Sequence, residues 1–319
     1  MINDFISALG NVPFFNTAAF GIIALVLVGA SWCLVGAIAG KVPKLGYSME
    51  TLYLTGSSIA MIFIAVVCGA TTGIGKCAIT PLLLTSGAFF LGGVGCFFQG
   101  VAMSRAMQCG PNGIIWAIIQ SAMIFPFIFG VAFYDVKLNI LRILGICLMI
   151  GALIMFAFAK DNSQKASGSW QVWTFAALIV VGIEQVVTNI PFYYQETKNI
   201  SSMFNIFCMM FGYLISSLVV MLFNKNRFTE LKTVICKKSF WIYSVSLLPL
   251  AALIAIILQL PGMRAMADNG LGAMSFPILV GSCIAAFTLY SAIILKEKFK
   301  IIDLIALLCC IGGQILLCM

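Results

Sequence analysis

The hexapeptide Ala24-Leu25-Val26-Leu27-Val28-Gly29 has a counterpart 153 residues further on, Ala177-Leu178-Ile179-Val180-Val181-Gly182. Each lies in a predominantly apolar run long enough, at about 20 residues, to cross the hydrocarbon of a bilayer. Working outward from these two, the chain divides into ten such runs, near 18–39, 50–69, 80–104, 112–134, 139–159, 171–192, 201–223, 240–263, 271–295 and 301–318. Their length argues for helices, because membrane β-strands alternate in polarity and run about ten residues. The predicted fold is therefore an all-α integral membrane protein of ten transmembrane helices. Composition agrees: 62% of the residues are hydrophobic and 9% charged, with a mean hydropathy of +1.11. That is too little charge to cover the surface of a soluble domain.

The two hexapeptides belong to a longer correspondence. Gln99 and Arg105-Ala106-Met107 are answered by Gln259 and Arg264-Ala265-Met266, and Ile150-Gly151 by Ile311-Gly312, at separations of 153 to 161 residues. The order predicts a duplication: a first five-helix repeat over 1–160, a polar linker over 161–169 and a second five-helix repeat over 170–319. Five is odd, so the second copy enters the membrane inverted, an arrangement recurrent among secondary transporters. Odd-numbered loops hold 13 of the 18 Lys and Arg residues and even-numbered loops five. Positive charge marks the cytoplasmic side, which predicts a multi-pass protein of the cell (inner) membrane with both termini extracytoplasmic. The basic stretch Asn224–Phe240 is expected to be a loop against anionic headgroups, so membrane lipid is an expected partner.

One acid lies deep in an apolar run. Glu184 falls near the middle of the sixth span, where an ionised carboxylate is expensive. It must face the bundle interior, find a partner or carry a proton, and it is the candidate coupling residue for a proton or other cation; the alternative is a structural, hydrogen-bonded Glu. Gln185, Thr188 and Asn189 extend it into a polar stripe, since residues four apart share a helix face. The repeat places Ser31 and Trp32 at the equivalent position of the first half. A polar wall and an aromatic ring facing a common cavity would suit a polyol, and ordinary helix packing explains Trp32 equally well. Gln99 and Gln259, Gln120 and the nearby Trp116 complete the candidate substrate-binding set. Pro126 and Pro277 each fall in the fourth span of a half, and a proline that breaks a helix marks a candidate hinge. The glycines Gly29, Gly36, Gly92, Gly93, Gly95 and Gly100 are expected at close helix crossings.

Other function classes find less support. The basic excess of +8 sits in loops, so no nucleic acid is expected as a partner. Cysteines such as Cys33, Cys68, Cys96 and Cys283 lie in apolar runs as small hydrophobes, without a Cys-x-x-Cys pair. Histidine is absent, which removes the commonest metal ligand and general base. No metal or cofactor is expected, and an enzyme is not. No Walker pattern points to an ATP motor. A channel or sensor is a lesser alternative, because the polar residues cluster at mid-depth rather than along a pore.

Several of these stretches resemble the drug/metabolite transporter superfamily, whose EamA-like members are two five-helix repeats. The likeness rests on Gly110-Pro111-Asn112-Gly113, Pro126, Asp135-Val136-Lys137 and Gly151 in the first half. Asn269-Gly270-Leu271-Gly272, Pro277, Lys296-Glu297-Lys298 and Gly312 carry it in the second, and Ser31-Trp32 matches the first-helix pattern. Lys41-Val42-Pro43-Lys44 and Ser48-Met49-Glu50-Thr51 are similar to the sugar-transporter side, the L-rhamnose–proton symporter branch. The resemblance implies alternating-access transport of a small-molecule substrate, a sugar by symport on that branch or a metabolite, amino acid or drug by export elsewhere in the superfamily.

Overall fold

The computed structural model describes residues 13–66, 69, 78–134, 138–157, 169–197, 200–317 and 319. Within them the chain is helical and has no strand. Helix α1 runs Ala18–Lys41, α2 Met49–Val66 and α3 Ile79–Cys109. The fourth expected span is split into α4 Asn112–Gln120 and α5 Ile124–Phe133. Helix α6 runs Ile140–Ala157, α7 Ser169–Asn189 and α8 Ser202–Phe223. Helix α9 is a polar helix, Lys225–Val234. The eighth expected span comprises α10 Lys238–Leu247, α11 Pro249–Ile254, a π-helical turn at Ala255–Gln259 and α12 Leu260–Asp268. Helix α13 runs Ser275–Ile293 and α14 Ile301–Leu317.

Eight helical stretches are long and apolar enough to cross a membrane, and two shorter apolar helices, Ile140–Phe156 and Ile301–Leu317, accompany them. Large apolar side chains face outward on these helices, among them Ile140, Leu222 and Phe223. A bilayer accepts such a surface, and water would not. Of the expected linker over 161–169, residues 161–168 lie outside the described residues and Ser169 begins α7, and the motif Asp135-Val136-Lys137 also lies outside them.

Local chemistry sets the boundaries. The Thr17 side chain accepts the Phe20 N–H at 3.2 Å and caps α1. Glu297, from the turn before α14, caps α4: its two carboxylate oxygens accept the N–H groups of Asn112 and Gly113 at 2.8 and 3.0 Å. A carboxylate suits the positive end of a helix, and here it also ties two distant segments together.

Two expectations need correction. Pro126 does sit beside a helix break, because its ring crowds the Ala122 carbonyl and the chain tightens into a 3₁₀ turn over Ser121–Met123. Pro277 does not. It is the third residue of α13, where an N–H would be unbonded in any case, so it opens the helix and breaks nothing. The break in the second half lies instead in the eighth span, where the π-helical turn precedes Pro261. The second correction is the segment Asn224–Phe240, which is largely the helix α9 rather than a loop.

Helix α1 packs on α12 and α13, and α7 on α3, α4 and α5. Helix α3 also packs on α8, α2 on α8 and α10, and α6 on α14. The closest approaches occur at glycines. At the α3–α8 crossing a Cβ on Gly93 would strike the Met209 carbonyl and lie 3.0 Å from the Gly212 Cα. Gly145 and Gly313 meet in the same way between α6 and α14. Gly151 and Gly312, matched positions of the two halves, have nothing within 4 Å of where a Cβ would stand.

Candidate functional site

The seam between α3 and α7 holds the lone deep acid. Glu184 is 8% exposed. A Cβ on Gly95 would lie 2.9 Å from the Glu184 Cβ, and one on Gly92 3.6 Å from its Oε1. Two glycines one turn apart on α3 thus make the groove that the glutamate fills. Helix α7 adds Thr188, whose hydroxyl donates to the Glu184 backbone carbonyl at 2.9 Å and lies 3.5 Å from the Glu184 Oε1. Cys96 lies beside Glu184 and the Tyr213 hydroxyl on α8, within hydrogen-bonding reach of both. A relay in which Tyr213 O–H donates to the Cys96 sulfur and the Cys96 S–H to the Glu184 carboxylate would give every donor an acceptor. Tyr53 on α2 packs on Tyr213 and Phe97, with ring centroids 5.1 and 5.8 Å apart. Its hydroxyl occupies the space a Cβ on Gly100 would take.

Beyond Tyr53 the molecule opens. A cavity of about 340 Å³ is lined by Pro43, Tyr47, Ser48, Glu50, Ser104, Arg105, Gln108 and Arg227, among others. Its size is that of a small-metabolite site. Arg227 on α9 donates through Nη1 to Glu230 Oε2 at 2.9 Å, and its Nη2 lies 3.7 Å from Oε1 of the buried Glu50. The Ser48 N–H donates to Glu230 Oε1 at 2.7 Å. Arg105 lies over the Trp173 ring, 4.7 Å from its centroid. Along α3 the order is thus Arg105 and Ser104 in the cavity, Gly100 against Tyr53, Cys96, and then Gly95 and Gly92 against Glu184.

The structure distributes the sequence-selected residues over several seams. Gln99 lies one helical turn from Gly95 on α3, and its amide donates weakly to the Met103 sulfur at 3.8 Å. Gln185 and Asn189 flank Glu184 half-buried, and the Asn189 amide donates to the Gln185 carbonyl at 2.6 Å. Ser31 and Trp32 do not share the Glu184 seam: they line a small cleft with Leu250, Ala251 and Ile254. Trp116 is buried and stacked on Phe287, 4.9 Å between centroids, beneath Gly36. Gln120 contributes its backbone carbonyl to the Gln314 amide at 3.4 Å. Gln259 ends the π-helical turn, half-buried. None of these residues lines the large cavity.

The sequence reading missed Cys96, Tyr53 and Tyr213, and it took Cys96 for a plain hydrophobe. The one linear signal for them was the glycine-dense stretch Gly92-Gly93-Val94-Gly95-Cys96, which admits a bulky neighbour. Among the described residues no group of three or more His, Cys, Asp or Glu is placed to hold a metal ion.

No family model matches the sequence, and no curated protein does. Solved structures match by fold. One, described only as "Crystal structure of protein", superimposes with a TM-score of 0.52 at 12% sequence identity, covering 94% of this chain and 95% of its own. At that identity the likeness concerns the fold alone.

Proposed function

We propose that this chain is a secondary active transporter that carries a small polar metabolite across the cell membrane by alternating access, with Glu184 as its coupling residue. The observation that carries the reading is the position of Glu184: a carboxylate buried between α3 and α7, two residue layers beneath a metabolite-sized cavity. Tyr53 and Tyr213 are the layers between them. The cavity wall offers Ser48, Ser104, Gln108 and Tyr47 as neutral hydrogen-bonding groups beside the charged Glu50, Arg105 and Arg227, a polar wall that suits a polyol such as a sugar as substrate.

The helix packing supports the two-copy, ten-span reading of residues 1–160 and 170–319. The first span meets the eighth and ninth, and the sixth meets the third and fourth. The third meets the seventh, and the eighth meets the second. Adding five to each span number exchanges these pairs, as an internal two-fold relation requires. The matched Gly29 and Gly182 behave alike: Gly29 abuts Leu279 and Ser282 in the ninth span, and Gly182 abuts Phe125 in the fourth. Drug/metabolite transporters of the EamA kind have this organisation.

Purified protein in liposomes should accumulate a labelled solute against its gradient under an imposed ion gradient. Glu184→Gln should abolish accumulation while leaving the protein folded in detergent. Accumulation by the glutamine variant equal to that of the unaltered chain would remove Glu184 from the mechanism.

A further inference from the structure

The cavity beside Tyr53 holds a guanidinium that no acid of the protein neutralises. The cavity measures about 340 Å³, near the lower end of the range of small-ligand sites, about 300–1,000 Å³. Most of its polar wall is tied down. The Ser104 hydroxyl donates to the Ala39 carbonyl at 2.8 Å. The Tyr47 hydroxyl is hydrogen-bonded to Ser239 at 2.6 Å, and the Ser48 hydroxyl to Thr51 at 3.0 Å. A hydroxyl oxygen carries two lone pairs, so Ser104 and Tyr47 still accept from a ligand hydroxyl.

The charged groups of the wall differ from one another. Arg227 has an acid on each side: its Nη1 donates to Glu230 Oε2 at 2.9 Å, and its Nη2 lies 3.7 Å from Glu50 Oε1. The other Glu230 oxygen accepts the Ser48 N–H at 2.7 Å. Arg105 has no counterpart to these. Among the described residues no carboxylate lies within 4.0 Å of it. It is nonetheless positioned, because its guanidinium lies over the Trp173 ring, 4.7 Å from the centroid. Contact with a ring occupies the face of a guanidinium and leaves the N–H groups at its edge. Gln108, three residues on, shares this face of α3, and its Nε2 donates to the Ser104 carbonyl at 3.1 Å. Arg105 thus presents a fixed set of donors to a cavity whose other donors are engaged.

That chemistry selects a ligand. A planar fork of N–H groups matches a carboxylate, which accepts two parallel hydrogen bonds and neutralises one charge. A phosphate dianion calls for a second unpaired cation, and Arg227, the other cation of the wall, is held by Glu50 and Glu230. A ligand ammonium calls for an acid without a cation, and both acids lie against Arg227. A neutral sugar leaves the Arg105 charge unmatched. Hydroxyls find acceptors at Glu50, Ser104 and Tyr47, which line the same space.

We infer that the solute taken by this cavity is a polyol bearing one carboxylate, a sugar acid, its carboxylate held by Arg105 and its hydroxyls donating to Glu50, Ser104 and Tyr47. Calling that ligand the transported substrate rests on the transport reading above; the binding site itself does not.

The test is isothermal titration calorimetry of the full chain in a neutral detergent, with gluconate, glucose, glucose 6-phosphate and serine as probes. Gluconate should bind tightest, and glucose at least about tenfold more weakly, since a charge-assisted hydrogen bond is lost. Arg105→Gln should bind gluconate no better than glucose. Arg105→Lys keeps the charge without the fork and should fall between that variant and the unaltered chain. Lys296→Gln, which removes an exposed charge from another turn, should bind gluconate as the unaltered chain does. Thermal unfolding without ligand monitors whether each variant is folded. Gluconate bound no tighter than glucose, tighter binding of glucose 6-phosphate or serine, or undiminished gluconate binding by Arg105→Gln would overturn the proposal and leave ion-driven accumulation through Glu184 standing. Gluconate bound through Arg105 but not moved into liposomes would uphold the site and overturn the transport reading instead.

Discussion

At Glu184 the local sequence and the surrounding helices set different things. Its own helix makes it an acid in an apolar run, which the sequence displays. What makes it tolerable are Gly92, Gly95, Cys96 and Tyr213, which come from two other helices and which no local pattern links to it. The groove is tight enough to be tested by volume. Gly95→Val would drive a branched side chain into the Glu184 Cβ and Cγ, 2.9 and 3.2 Å from the position of the new Cβ. Overpacking of this kind costs about 1–3 kcal/mol, so thermal denaturation in detergent should show a lowered Tm; an unchanged Tm would refute the close seam. Cys96 separates hydrogen bonding from volume. Cys96→Ser keeps a donor and an acceptor between Tyr213 and Glu184 and should retain transport in liposomes. Cys96→Val keeps the bulk, removes the link and should slow uptake at least about tenfold, a difference of about 1.4 kcal/mol. Equal rates for the two variants would show that the link is idle.

Among the elements, legibility follows the physical cause of each. The eight long apolar helical stretches were readable because the bilayer's thickness imposes a minimum run on each of them. Helix α9 was not: ten residues of KNRFTELKTV carry no long apolar run, and the helix is held by tertiary contacts, chiefly Arg227 against Glu50 and Glu230 against the Ser48 N–H. Pro277 was misjudged because the helix it belongs to starts at Ser275, after a 3₁₀ turn over Gly272–Met274. Moving that boundary a few residues turns an expected break into a start. The Arg227 contact makes a prediction of its own. Arg227→Gln leaves the buried Glu50 without its cation. Arg227 is itself one-third exposed, so water screens part of the loss, and about 1–2 kcal/mol is expected. The double variant Glu50→Gln, Arg227→Gln should recover part of the lost Tm; a double variant no more stable than the single one would assign α9 docking to other contacts.

The whole-molecule reading is a bundle in which equivalent spans exchange their packing partners, with a cavity open at one end and an acid closed off beneath it. Under the topology expected from the distribution of Lys and Arg, that cavity, lined by Arg105 and Arg227, would face the cytoplasm. Cys236 is exposed at the end of α9, and in sealed vesicles of known orientation a membrane-impermeant thiol reagent should modify it from the cytoplasmic side alone. Modification from the opposite side would invert the topology. The most direct test of the carrier account uses Cys96, which lies between Tyr213 and Glu184 on the proposed path. Two states that open in turn make Cys96 reachable by a small impermeant thiol reagent from either face of the membrane, as read by peptide mass spectrometry. Modification from one face only, however long the exposure, would contradict alternating access through this seam.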